Sequence, residues 1–93
     1  VVVSNNKSTL VQFPSGKKGV YAIPEGIKWI EKWAFADCTN LISIKIPNTI
    51  LRIENGAFYG CDNLKEIYLP ANQVERFSHR EDLSNVKLIV ENK

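Results

Sequence analysis

Shifted by 23 residues against itself, the chain aligns Pro24–Ile46 with Pro47–Leu69 and keeps ten identities among those 23 positions: Pro, Ile, Ile, Glu, Ala, Phe, Cys, Asn, Leu and Ile. Most are apolar. A unit of this length cannot bury an apolar face alone, so successive units must stack, with equivalent side chains forming continuous ladders. A chain this short buries only about 60–65% of the surface its unfolded form exposes, which makes efficient stacking the main source of stability.

Within the units, Ile44 and Ile46 alternate with Ser43 and Lys45, and Ile67 and Leu69 alternate with Glu66 and Tyr68. That two-residue period predicts strands with one buried face, paired in a parallel sheet. Pro47 and Pro70 end them, because proline has no N–H for the ladder. Ile27 and Ile30, matched by Ile50 and Ile53, suit a short extended return limb. The Ala-Phe-x-x-Cys segment that follows is rich in turn formers and predicts a helical or 3₁₀ corner. A period of roughly 20–29 residues containing Leu-x-x-Ile-x-Ile marks a leucine-rich repeat.

Both ends depart from the repeat. Phe13-Pro14 and Ile23-Pro24 echo the strand-ending dipeptide, but Lys18 stands where a ladder Leu belongs and Tyr21 replaces Ile. Val1–Ser4 and Thr9–Phe13 are β-prone and joined by Asn5–Ser8, a hairpin suited to covering the first coil's edge. Downstream, Asn72 is placed to cap a helix running to Arg80, with Val74 and Phe77 facing the last coil and Val86–Val90 forming a final strand. Atypical terminal units are what a stack of coils needs at its ends.

The pattern Ile-Pro-x-x-Ile-x-x-Ile-x-x-x-Ala-Phe-x-x-Cys-x-Asn-Leu-x-x-Ile-x-Ile-Pro, followed closely over Ile23–Pro70, resembles the BspA-like, or Treponema pallidum type, leucine-rich repeats. Leu10–Lys17 also looks like the lead-in of such proteins. The resemblance implies a bacterial or protozoan surface or secreted protein whose repeats mediate adhesion or protein binding. The expected architecture is mainly β: a right-handed leucine-rich-repeat solenoid of parallel strands with short 3₁₀ or helical corners, forming one domain over 1–93. An N-terminal hairpin cap and degenerate coil would occupy 1–22, two close repeats 23–70, and a helix-plus-strand cap 71–93. Opening on Val1, with nothing like a signal peptide, the chain reads as an excised or processed piece.

Several function classes have little support. Residues 1–33 carry five Lys against two Glu, yet Lys17-Lys18 is the only adjacent basic pair, so no nucleic-acid partner is expected. The longest apolar runs, Val20–Ile23 and Trp33–Ala36, fall far below the ~18 residues of a membrane span, and no membrane insertion is expected. Cys38 and Cys61 share a repeat position and should sit on adjacent rungs about 5 Å apart, a distance that permits a disulfide. A Cys recurring in step with Ala-Phe reads more simply as a small buried apolar rung with a free thiol. A metal site at the cysteines would need more ligands at suitable spacing, and the only His, His79, is remote from them in sequence, so neither metal nor cofactor is expected. His79 and Cys61 as base and nucleophile lack an oxyanion-hole motif or an orienting carboxylate, and His79 reads as exposed on the capping helix. Glu31 and Glu54 share a repeat position, which suits a solvated or turn-stabilising role. No enzyme is expected.

What remains is an interaction module with a protein or glycan partner; its rival is a structural spacer that binds nothing. The candidate surface is the outward positions of the parallel sheet: Ser43 beside Glu66 and Lys45 beside Tyr68. Packing leaves these positions free to vary. Trp29 and Trp33 interrupt the repeat where Arg52 and Gly56 stand one unit later. Exposed tryptophans stack on sugars or anchor partners, but packing against the N-terminal hairpin near Phe13 or Tyr21 is the favoured reading, because a degenerate coil needs large side chains to fill its gaps.

Overall fold

The computed structural model describes residues 2–3, 8–13, 16–78 and 80–91. The strands are β1 (Val2–Val3), β2 (Thr9–Gln12), β3 (Gly19–Ala22), β4 (Trp29–Ile30), β5 (Leu41–Lys45), β6 (Arg52–Ile53), β7 (Glu66–Pro70) and β8 (Lys87–Glu91). They form two four-stranded sheets, ordered β1-β2-β4-β6 and β3-β5-β7-β8. All pairings are parallel except β1 with β2, which is the expected hairpin pair; its connection, residues 4–7, lies outside the described residues. Each repeat thus contributes one short strand to the return sheet and one long strand to the other. Trp29 pairs with Arg52 and Ile44 with Ile67, each 23 residues on.

The core between the sheets is built from the repeated identities. Ile27, Ile30, Ala34, Phe35, Cys38, Leu41, Ile44 and Ile46 are buried, as are Ile50, Ala57, Phe58, Leu64, Ile67 and Leu69. An aromatic column runs through it: Phe35 lies 5.1 Å from Phe13 and 5.2 Å from Phe58, nearly parallel to the latter at 15°. Tyr21 and Phe77 extend the column at its two ends.

The corners are not helices. At residues 33 and 37 φ is 65° and 56°, and at the equivalent Gly56 and Gly60 it is 72° and 78°. Each left-handed residue breaks a helical run. Amides therefore alternate: Ala34, Ala36 and Cys38 donate back within their own coil, while Phe35 N–H reaches Ala57 O at 2.7 Å and Asp37 N–H reaches Tyr59 O at 2.8 Å in the next. Glycine suits this backbone, and at Gly60 a Cβ would also collide with the Asp37 carboxylate.

After Pro70 the chain forms a 3₁₀ turn, Ala71–Gln73, and the helix α1, Val74–Ser78. Pro70 precedes the turn and Asn72 lies inside it, so Asn72 is not the helix cap expected of it; Pro70, with its fixed φ, begins the turn one step earlier. His79 lies outside the described residues. Phe77 is buried 6.3 Å from Phe58, Val74 is half-buried, and β8 pairs with β7.

Polar side chains of this tail stand where a further coil's groups would stand. Ile27 O accepts from Thr49 Oγ1 at 2.8 Å, and 23 residues on Ile50 O accepts from Gln73 Nε2 at 3.0 Å. Lys28 O accepts from the Leu51 and Arg52 amides, whereas Leu51 O accepts from Arg76 Nη1. Ile30 O accepts from Glu54 N–H at 2.9 Å, whereas Ile53 O accepts from Arg80 Nη1 at 3.2 Å. Phe35 N–H finds a carbonyl, whereas Phe58 N–H finds Asp82 Oδ2 at 3.1 Å. Backbone groups that would otherwise be unpaired at the end of the stack are thereby satisfied.

Candidate functional site

The longer sheet turns two rows of side chains outward. The pairing sets Val20, Ser43, Glu66 and Lys87 in one row and Ala22, Lys45, Tyr68 and Ile89 in the next. Ser43 thus neighbours Glu66 and Lys45 neighbours Tyr68, as the repeat alignment implies. Ser43, however, is only 4% exposed. Its short side chain lies between those of Val20 and Glu66, set directly beside it on the flanking strands, and its Oγ is buried with no hydrogen-bond partner among the described residues. It contributes little to any outer surface.

The other three do face solvent to different degrees. Lys45 is exposed and pairs with Glu91 at 3.5 Å, while Tyr68 and Glu66 are half-buried and joined by a hydrogen bond from the phenol to Glu66 Oε1 at 3.1 Å. The carboxylate that accepts this bond raises the Tyr68 pKa, so the phenol stays neutral and keeps its donor. Lys45 and Glu91 also line a shallow cleft of about 390 Å³ at the ends of the strands, with Pro47 and Pro70. Glu91 was not singled out from the sequence: it lies beyond the repeat, and only the β7–β8 pairing brings its side chain within reach of Lys45, across β7.

The tryptophans lie elsewhere. Trp29 is in β4, on the return sheet, between Thr9 and Arg52. Trp33 is at a corner, meeting Tyr59 edge-on at 5.3 Å and 85°. Trp29 lies beside the hairpin strand β2, but among the described residues neither tryptophan makes a ring contact with Phe13 or Tyr21, which stack on each other and on Phe35. The aromatic column already fills the degenerate coil, and the left-handed backbone at residue 33 directs its side chain toward the next coil. Tyr59 was also missed, although it interrupts the repeat at the Ala36 position just as the tryptophans do elsewhere.

Cys38 and Cys61 are free thiols on neighbouring coils. Burial raises the pKa of both, that of Cys61 to about 12, and the Cys61 thiol donates to Phe35 O at 2.9 Å. A thiol so held is protonated at neutral pH and is a poor nucleophile. Among the described residues, no group of three or more His, Cys, Asp or Glu is placed to hold a metal ion, and no helix is long and apolar enough to cross a membrane.

A family model described as the BspA type leucine rich repeat region (6 copies) matches residues 19–89. The match runs well past Pro70, where the repeat motif itself ends, and takes in most of β8. The strand pairing gives the reason: β8 holds the place beside β7 that β7 holds beside β5, but at an offset of 21 residues and not 23, since Glu66 pairs with Lys87. No curated protein and no solved structure matches significantly.

Proposed function

Because the chain belongs to the BspA-type leucine-rich-repeat family, we propose that it is a non-catalytic interaction module of a cell-surface or secreted protein, acting in adhesion through protein or glycan contacts. The observation that supports this most is the outward face of the longer sheet. Lys45, Glu66 and Tyr68 come together there from two adjacent coils while the ladder residues beneath them are committed to the core. One cation, one anion and an amphipathic ring favour a partner with a mixed surface over a polyanion, and tyrosine supplies contact area with few rotatable bonds. Lys87 and Glu91 extend the same face.

In this reading the two ends of the chain serve as caps. β1 closes one side of the return sheet by antiparallel pairing, and the side chains of Gln73, Arg76, Arg80 and Asp82 close the other, which keeps coil edges from pairing with other chains.

The test is an array of host extracellular proteins and oligosaccharides probed with the labelled protein. Binding to at least one class that falls at least about tenfold in a Lys45→Ala/Tyr68→Ala double variant supports the assignment. Binding unaffected by the double variant moves the site off this face, and the absence of any binding favours a spacer.

A further inference from the structure

Trp33 sits where the backbone has φ 65°, and one coil later the equivalent position is Gly56 at φ 72°. The chain puts its largest side chain where the backbone favours its smallest, and leaves it 47% exposed. Strained positions of this kind concentrate where a side chain is needed in one orientation. Gly56 supplies the floor: the point where its Cβ would stand is 3.2–3.4 Å from three carbons of the indole's six-membered ring. Tyr59, itself 59% exposed, abuts the indole edge-on. The indole is thus braced on two sides, with Lys32 Nζ 5.9 Å from its centroid.

Alongside lies a cleft of about 640 Å³ lined by Asn55, Gly56, Tyr59, Arg80, Glu81 and Asp82. Arg80 and Asp82 are committed to each other at 3.0 Å and to the backbone of the last coil. The side chains of Asn55 and Glu81 are exposed and have no partner among the described residues. Among the described residues, the cleft lining therefore offers an amide and a carboxylate but no unpaired cation.

We propose that Trp33 and Tyr59, with Asn55 and Glu81 beside them, form a carbohydrate site that takes the apolar face of a neutral pyranose. A pyranose presents C–H groups on one face, which stack on an aromatic ring, and hydroxyls at its periphery, which bond to an amide and a carboxylate. Within the cleft an acidic sugar meets repulsion from Glu81, with Lys32 standing beside the indole and outside the cleft lining, and an apolar peptide side chain leaves Asn55 and Glu81 without partners. The site is separate from the outer face of the longer sheet and stands independently of what that face binds.

The test begins with a printed array of neutral and acidic oligosaccharides of glucose, galactose, mannose and N-acetylglucosamine, followed by calorimetric titration of the best neutral oligosaccharide into each variant, with tryptophan fluorescence recorded on the wild-type protein. The wild-type protein is expected to bind a neutral oligosaccharide with a blue shift in emission. Trp33→Gly keeps the corner in a conformation that Gly56 already adopts and should weaken binding at least about tenfold. Tyr59→Ser, which leaves the backbone of the corner untouched, should weaken it by about fivefold, and Tyr68→Ala by less than about twofold. Retention of acidic sugars only, no retention of any neutral sugar, or affinity unchanged in both Trp33→Gly and Tyr59→Ser overturns the proposal.

Discussion

Replacing Phe35 with alanine removes a ring that is fully buried and flanked by three others: Phe13 at 5.1 Å, Phe58 at 5.2 Å and Tyr21 at 6.3 Å. Truncating a buried Phe to Ala costs about 3–5 kcal/mol through lost transfer energy and the cavity left behind. A domain of this size has roughly 5–14 kcal/mol of stability in total, so the variant should be marginal. Phe77 provides an internal control, being equally buried but with a single ring neighbour among the described residues, Phe58, at 6.3 Å. At about 0.5–1.5 kcal/mol for each aromatic pair beyond its area, the two additional contacts make Phe35→Ala costlier than Phe77→Ala by about 1–3 kcal/mol. Urea denaturation followed by far-UV circular dichroism measures both. With a slope of about 1–3 kcal/mol per molar urea, the Phe35→Ala midpoint should fall by 1 M or more. A midpoint that barely moves would show that the ring is not buried. Equal losses for the two variants would show that the aromatic column is not continuous.

Removing residues 71–93 uncovers Phe58 and the β6 and β7 edges and should produce aggregates on size-exclusion chromatography; a truncated protein that stays monomeric and equally stable would make the tail a linker. Gly60→Ala should cost at least about 1–2 kcal/mol from its left-handed backbone alone, since φ is +78° there and the Asp37 carboxylate must also move; an unchanged melting temperature would refute the corner geometry. Burial holds the Cys61 thiol neutral to about pH 12 against an ordinary value of 9.0, so its raised pKa stabilises the fold below pH 9 and that contribution is lost as the pH rises from there toward 12. The melting temperature should therefore decline above pH 9 more steeply in the wild-type protein than in Cys61→Ala, and identical slopes would contradict the burial; native-state alkylation of Cys61 near neutral pH should correspondingly be slow.

The repeating part of the fold was legible because its physics is periodic. Ten identities in 23 positions locate the ladder, the two-residue alternation locates β5 and β7, and equal spacing sets Ser43 beside Glu66 and Lys45 beside Tyr68. Non-periodic features were harder to read. The burial of Ser43 depends on the size of its neighbours on two other strands, which alternation within one strand does not encode. The corners look helical in composition, and only the shared left-handed backbone of Trp33 with Gly56, and of Asp37 with Gly60, reveals why no helix forms. Gln73, Arg76, Arg80 and Asp82 read as ordinary surface residues of a short helix and loop. Their partners are backbone groups 23 to 27 residues away, and pairings of that kind leave no trace in a hydrophobic pattern.

Amide hydrogen exchange by NMR tests most directly whether the coils are joined amide by amide and whether the tail takes the place of a further coil. Phe35 and Asp37 N–H donate to carbonyls of the next coil, and Phe58 N–H donates to the Asp82 carboxylate. In the wild-type protein all three amides should be protected, with Phe35 and Asp37 exchanging only through global unfolding. In Asp82→Ala the Phe58 amide should lose protection by at least about tenfold more than the Phe35 amide does. A Phe58 amide equally protected without Asp82, or a Phe35 amide that exchanges freely in the wild-type protein, would contradict the account.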